Sequence, residues 1–345
     1  MLRRPVRLDM NEAPFPPAPH VVAAARKGLS RLNRYAAPED LARLRHLLAD
    51  YAAVESDQIV LGPGSDILLR EMIHAFAGPR KVVMLSPSFL PTLQVARERA
   101  GSWTGLRLSP PNFSLQPELL LAQAKEPCLV IIDNPNNPTG QVVLDRKTIS
   151  KLLESRDVLV VVDEAYHEFA RTDEASDERN GSVVDLVKYY ANLAVTRTMD
   201  KAFCLAGARI GYAVAGETLR RAFSSFYPFL PQPSLHAALA ALERPAYVED
   251  RVTQLIRERE RVYDALRDLG AEVNRSRTNF LLVRSGVPDV AVRLRDEGVL
   301  VSDVSNQLPS GFIRVSVGTR QENDAFLAAF ERATGKGKET DTTQR

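Results

Sequence analysis

Residues Val158 to Phe169 read VLVVVDEAYHEF. The run Val158 to Val162 is apolar throughout, with no polar alternation. That is the pattern of a strand buried on both faces of a parallel sheet. It stops at an acid, Asp163. Sheets of this kind take their ligands at the carboxyl ends of their strands. The acid therefore marks where a site is to be sought.

The same pattern recurs on either side. Cys128 to Asp133 predicts a strand that ends on NPNNPTG, Asn134 to Gly140. Leu193 to Thr196 predicts another, running into TRTMDKAFCLAGARIGY, Thr196 to Tyr212. Upstream, strands at Gln58 to Leu61 and Lys81 to Leu85 alternate with helices at Ile67 to Phe76 and from the Pro87/Pro91 turn to Ala100. Leu144 to Ser155 predicts a further helix. Buried strands alternating with helices give an α/β fold, a mostly parallel central sheet with helices on both faces.

The flanks read differently. Residues 1–20 predict an extended arm, because prolines 14, 16, 17 and 19 disfavour helix. Val21 to Leu32 predicts a short amphipathic helix, and Pro38 opens another with acids in its first turn. Ala170 to Gly181 is a polar surface loop. Ala246 to Leu269 is a long helix stopped by Gly270. Strands at Asn279 to Arg284, Val299 to Asp303 and Phe312 to Val317 follow, with helices at Val290 to Glu297 and Asn323 to Ala333. The expected division is an arm over residues 1–30 belonging to a small domain, a large domain over 31–240, a C-terminal small α+β domain over 241–334, and a disordered tail over 335–345.

With 345 residues the chain is long enough for two domains. A formal net charge of +2 gives no electrostatic case for nucleic acid or a membrane surface. The N-terminus is basic and then proline-rich, with no apolar core of a secretory signal, and no run approaches the ~20 apolar residues of a membrane helix. Two cysteines in this length predict a reducing compartment, the cytosol. The five histidines are scattered without metal-ligand spacing.

The three central motifs supply one acid, one phenol, one lysine and one arginine. A carboxylate at the mouth of a buried sheet needs a cation. The protonated pyridine nitrogen of pyridoxal 5'-phosphate would serve, which makes Asp163 a cofactor partner rather than a helix cap. Tyr166 is within reach of that ring's phenolic oxygen. Lys201, among the apolar residues Ala202, Phe203, Leu205 and Ala206, suits a Schiff-base nucleophile and later a proton carrier; alone it would read as a surface lysine. Arg209 offers a fork for a phosphate. The Gly62 to Asp66 turn, ahead of a helix, offers backbone N–H groups to the same anion. Phe89 could stack on a ring or fill the core. Arg314, inside the apolar strand FIRVS, calls for an anion, either a substrate carboxylate or a structural acid.

These motifs, with LDMNEAPFPPAP near the start, RYAAPEDLARLR, LGPGSD and IRVSVGT, resemble the fold-type I pyridoxal-phosphate aminotransferases, most closely the histidinol-phosphate aminotransferase group. The resemblance spans about residues 6–333. It implies that Lys201 carries the cofactor, Asp163 pairs with its ring nitrogen, and Asn137 and Tyr166 hydrogen-bond its O3′. Ser65, Asp66, Thr198 and Arg209 would surround the phosphate, with Gly64 shaping the turn and Phe89 standing where a stacking tyrosine is usual. Tyr35 would reach the phosphate of a neighbouring subunit, implying a homodimer. Arg314 would clamp the substrate carboxylate, and Asn11 and Glu12 would belong to an arm that closes the site. The implied reaction moves an amino group between an L-amino acid and a 2-oxo acid by a ping-pong route. Alternatives on the same scaffold are a decarboxylase, lyase or cyclase, or histidinol-phosphate aminotransferase proper.

Two departures stand out. Asp200 precedes the lysine where the group has serine, so the expectation is weaker cofactor retention or an Asp200 side chain bonded elsewhere. Ser302 and Ala325 stand where basic residues would meet a substrate phosphate, which favours a free amino acid over histidinol phosphate.

Overall fold

The computed structural model describes residues 5–125, 127–170 and 181–335. The expected loop over 170–181 and tail over 335–345 lie almost wholly outside these residues. Within them are twelve strands in two sheets.

Seven strands form the larger sheet: β2 (Ile59–Gly62), β3 (Lys81–Ser86), β4 (Ser102–Arg107), β5 (Cys128–Asp133), β6 (Val158–Asp163), β7 (Leu193–Thr198) and β8 (Gly211–Ala215). Their order is β2-β8-β7-β6-β5-β3-β4. Only β8 runs against its neighbours. The apolar runs are continuous because both faces are covered. Val130, Ile132, Val160 and Val162 point into one core, while Leu129, Ile131, Leu159 and Val161 point into another on the opposite face. This period-two split is what a strand must do when helices lie on both sides.

The smaller sheet contains β1 (Val6–Leu8), β9 (Glu272–Val273), β10 (Phe280–Arg284), β11 (Val299–Asp303) and β12 (Phe312–Ser316), in the order β1-β11-β12-β10-β9. It packs with the Ala246–Asp268 and Arg320–Thr334 helices around a third core that includes Leu266, Leu281, Ile313 and Phe330. The extended arm is in part a strand: Val6 pairs in parallel with Val299.

One expectation needs correction. Pro19 does not exclude helix but starts one, Pro19–Leu29, because the first turn has no use for its missing N–H. That helix lies along the Gln232–Glu243 helix. A Cβ at Gly28 would meet the carbonyl of Gln232 at 2.7 Å, so the crossing needs glycine there. The edge strand β4, the strand β8 and the Gln232–Glu243 helix were not foreseen.

Candidate active site

β3, β5, β6 and β7 run in parallel and end at the same side of the sheet, at Ser86, Asp133, Asp163 and Thr198. A cavity of about 240 Å³ lies there. Its walls include Lys201, Asp163, Tyr166, Asn137 and Phe89, which lie at or just after the ends of these four strands. Ser65, Asp66, Thr198 and Arg209 line another part of it, and Met10, Asn11 and Arg314 complete it from the side of the smaller sheet. A second cavity, of about 320 Å³, lies beyond Ser86 and Pro87, against Trp103 and Gln307. Arg107 is its one charged lining residue, and it holds no lysine or acid, so it lacks the groups for the chemistry.

Asp163 is 7% exposed and accepts a hydrogen bond from Thr196 Oγ1 at 2.8 Å. Burial pushes its pKa up to about 6, with the Thr196 hydroxyl and the Ala165 N–H opposing the shift. Its neighbour Glu164 points the other way and is fully engaged. Arg197 donates to Glu164 Oε2 from Nε at 3.0 Å and from Nη2 at 2.9 Å, and Ser182 and Val183 add donors. Adjacent buried acids thus differ: one has its arginine, and the other has no cation within ion-pair distance among the described residues.

The Gly62–Ser65 turn links β2 to the Ser65–Phe76 helix. Gly64 has φ +110°, a backbone region closed to other residues without strain. A Cβ there would also collide with Arg209 and Asp66. Arg209, itself left-handed at φ +54°, places Nη1 on Asp200 and Nη2 on Asp66. Asp200 is therefore bonded, but to the residue expected to hold the phosphate. Its other oxygen, Oδ1, is buried without a partner. Burial raises the Asp200 pKa, and Arg209 and Lys201 pull against that. Lys201 is half-buried at the cavity wall, and its side chain makes no hydrogen bond or ion pair with the described residues.

Arg314 donates from Nη1 to Asn137 Oδ1 at 2.7 Å and from Nη2 to the Asp9 carbonyl at 2.8 Å. Its Nε is buried without a partner, burial lowers its pKa, and no carboxylate of the described residues pairs with it. The Asp9 carboxylate acts on Arg314 through its charge without pairing with it. Ser302 is its cross-strand neighbour. Asn11 joins the two sheets: its Nδ2 donates to the Tyr166 hydroxyl at 3.0 Å, its N–H donates to Ser316 Oγ at 2.8 Å, and its carbonyl accepts from Asn279 at 2.9 Å. Glu12 is exposed beside it. Tyr35 is 79% exposed, packs on Phe229, and lies outside this cavity.

Asp133 was missed by sequence reasoning. It ends β5 in register with Asp163 on β6, and the criterion applied to Asp163, an acid closing a buried apolar strand, would have found it. Thr196, which orients Asp163, gave no such signal.

The residues present fit pyridoxal phosphate. A buried carboxylate without a cation suits a protonated ring nitrogen. A glycine cradle at a helix N-terminus beside Arg209 suits a phosphate. Lys201 and Tyr166 line the space between them.

Comparison with known proteins agrees. The family described as Aminotransferase class I and II matches residues 3–330. The histidinol-phosphate aminotransferase of Sulfurisphaera tokodaii is 35% identical over 93% of this chain and 88% of its own length. Histidinol-phosphate aminotransferase 1 of Archaeoglobus fulgidus is 34% identical over 96% of this chain and 99% of its own. The crystal structure of the histidinol-phosphate aminotransferase of Sinorhizobium meliloti in complex with pyridoxal 5'-phosphate superposes with a TM-score of 0.83 at 26% identity, covering 95% of this chain and 90% of that one.

Proposed function

The chain belongs to the class I and II aminotransferases, and on that premise we propose that it transfers an amino group from an L-amino acid to a 2-oxo acid by a ping-pong route, through Lys201. The observation that carries this reading is the convergence on one cavity between two sheets of Lys201, Asp163 and Arg314, the last two without an ion-pair partner among the described residues.

Bound pyridoxal phosphate supplies an electron sink for the pair released when a bond to the donor Cα breaks. Asp163 keeps the ring nitrogen protonated, which its buried carboxylate can do only when ionised. Tyr166 and Asn137 would hydrogen-bond the cofactor's O3′, and Phe89 would stack on its ring. Ser65, Asp66, Thr198 and Arg209 hold the phosphate, in a turn that Gly64 makes possible. Lys201 binds the cofactor through Nζ, and the same amine, once free, takes the proton from the donor Cα. Arg314 orients the donor carboxylate, and Asn11 closes the arm over it.

The relatives named for histidinol phosphate make that amine the second reading. Ser302, directly across the strand pair from Arg314, and Ala325 offer no positive charge to a substrate phosphate. A free amino acid fits better. We read residues 31–240 as the cofactor-binding domain and 241–334, with arm 1–30, as the smaller one. A homodimer is supported by Tyr35, Tyr227 and Phe229, an exposed aromatic cluster at 79, 44 and 60% exposure that suits a second copy. Sedimentation tests it. A cytoplasmic location is supported by two free cysteines. No helix among the described residues is long and apolar enough to cross a membrane.

The test is borohydride reduction of the loaded protein followed by peptide mass mapping, together with a panel of donors that includes histidinol phosphate. A pyridoxyl label on Lys201, and a visible band that one donor bleaches and a 2-oxo acid restores, is the expected result. Product release without need of an acceptor would overturn it in favour of a decarboxylase or lyase.

A further inference from the structure

Asp133 is 5% exposed, lines the same cavity, and takes four hydrogen bonds. They come from two segments, one from each to each oxygen. Oδ1 accepts from Ser88 Oγ at 2.9 Å and Asn136 Nδ2 at 3.0 Å. Oδ2 accepts from the Phe89 N–H at 3.1 Å and the Asn137 N–H at 2.9 Å. The turn after β3 and the turn after β5 are thus bracketed by one carboxylate.

Both bracketed turns reach the smaller sheet and its loops. Asn137 Oδ1 accepts from Arg314, and the Ser88 N–H donates to Gln307 Oε1 at 3.1 Å. We propose that Asp133 is a positioning residue that sets, through this one carboxylate, both the ring face offered by Phe89 and the aim of the Asn137–Arg314 pair. The proposal rests on the aminotransferase reading of the cavity and adds a residue to it.

Only the ionised form can accept all four donors. A protonated carboxyl must itself donate, and of its four partners only the Ser88 hydroxyl can turn to accept, which gives up the Ser88 donor. The bracket is therefore sensitive to pH. Burial pushes Asp133 up to about 7, against the pull of Asn137, Ser88 and Asn136. Asp163, on the adjacent strand, is the charged group that faces it and adds to the rise. From the two turns it meets only neutral donors. The carboxylate is complete above neutrality and is lost as the pH falls through about 7.

The test uses the full chain with Asp133→Asn and Ser88→Ala. Pyridoxal phosphate affinity by equilibrium dialysis and the visible circular dichroism of the bound cofactor are followed from acid to alkaline pH. Wild type should weaken on acidification with a midpoint near 7. Asp133→Asn should lose that step and bind about tenfold more weakly at alkaline pH, the size of one lost hydrogen bond to a charged group. Ser88→Ala, which removes one donor to the ionised form, should move the midpoint upward, and it keeps the test open if the first variant does not fold. With a donor in hand, KM should rise more than kcat falls. The proposal is overturned if Asp133→Asn keeps the wild-type midpoint and dichroism, or if it changes thermal stability alone. These readouts need cofactor and no donor. Failure to bind pyridoxal phosphate at all would sink the aminotransferase reading as well, whereas normal binding with an inert Asp133→Asn would sink only this one.

Discussion

Asp200→Ser is expected to tighten pyridoxal phosphate binding. In the structure Arg209 engages Asp200 and Asp66 together, so the three groups carry one net negative charge. A phosphate with ~1.5–2 negative charges must settle against them. Two anions on one guanidinium, each ~2.8 Å from a nitrogen, lie roughly 6 Å apart. Unit charges at ~6 Å repel by ~3 kcal/mol at an effective dielectric of ~20. The Arg209 side chain is 44% exposed, so solvent and salt screen this to roughly a third, ~1 kcal/mol per unit charge. Against the phosphate, removal of Asp200 is then worth ~1.5–2 kcal/mol, roughly a ten- to thirtyfold gain in affinity. Equilibrium dialysis of the apoprotein at alkaline pH measures it, with Asp200→Ala as the control for any new hydroxyl contact. Burial raises the Asp200 pKa, so this carboxyl protonates earlier than a free one as the pH falls. The gap between wild type and variant should close on acidification. Equal or weaker binding by Asp200→Ser, or a gap that widens in acid, would refute the reasoning.

Arg314→Gln should raise the donor KM by roughly ten- to a hundredfold, the worth of one charged hydrogen-bonded contact, with a smaller effect on kcat. Steady-state kinetics with the best donor decides it, and an unchanged KM would reassign Arg314 to structure. Asp163→Asn has a stability signature in the apoprotein. The folded pKa of Asp163, about 6, lies above its ordinary 3.8, so the unfolded chain ionises first and stability is lost as the pH climbs between those values, constant above them. The variant escapes that loss, on the order of 3 kcal/mol for a shift of this size. Urea unfolding should show its advantage growing through that window, and a pH-independent difference would refute it.

What could be read from the sequence follows from local physics. β5 and β6 are legible because burial on both faces leaves no polar residue before the closing acid, and β7 because its first three residues are apolar. β4, SWTGLR, is an edge strand with one buried residue, so its composition gives no such signal. β8, GYAVA, is buried throughout but short, and small residues there read as the tail of the lysine motif. Its glycine is required: a Cβ at Gly211 would run into the backbone of Gly64 and Ser65. In the site, Lys201, Asp163, Tyr166 and Asn137 could be placed because each closes a strand or sits on the turn after it. The hold of Arg209 on both Asp66 and Asp200 joins residues far apart in sequence through a left-handed backbone, and no local pattern encodes it. Of the four donors around Asp133, Asn136 and Asn137 are local, but Ser88 and Phe89 lie more than forty residues away and no local pattern announces them.

The pairing of Val6 with Val299, and of Asn11 with Ser316, has a consequence for how the protein is made. A chain leaves the ribosome N-terminal end first. The segment that covers the pocket emerges almost three hundred residues before the strand it docks on. Until then Leu8, which is buried in the finished protein, has no sheet to join. A nascent chain that has reached Ala215, the end of the strand that joins β2 to β7, already has the segments of the phosphate cradle and Lys201, but neither Arg314 nor a strand to seat the arm. Cofactor capture can therefore precede substrate recognition during synthesis, and the enclosure of the pocket is among the last events of assembly.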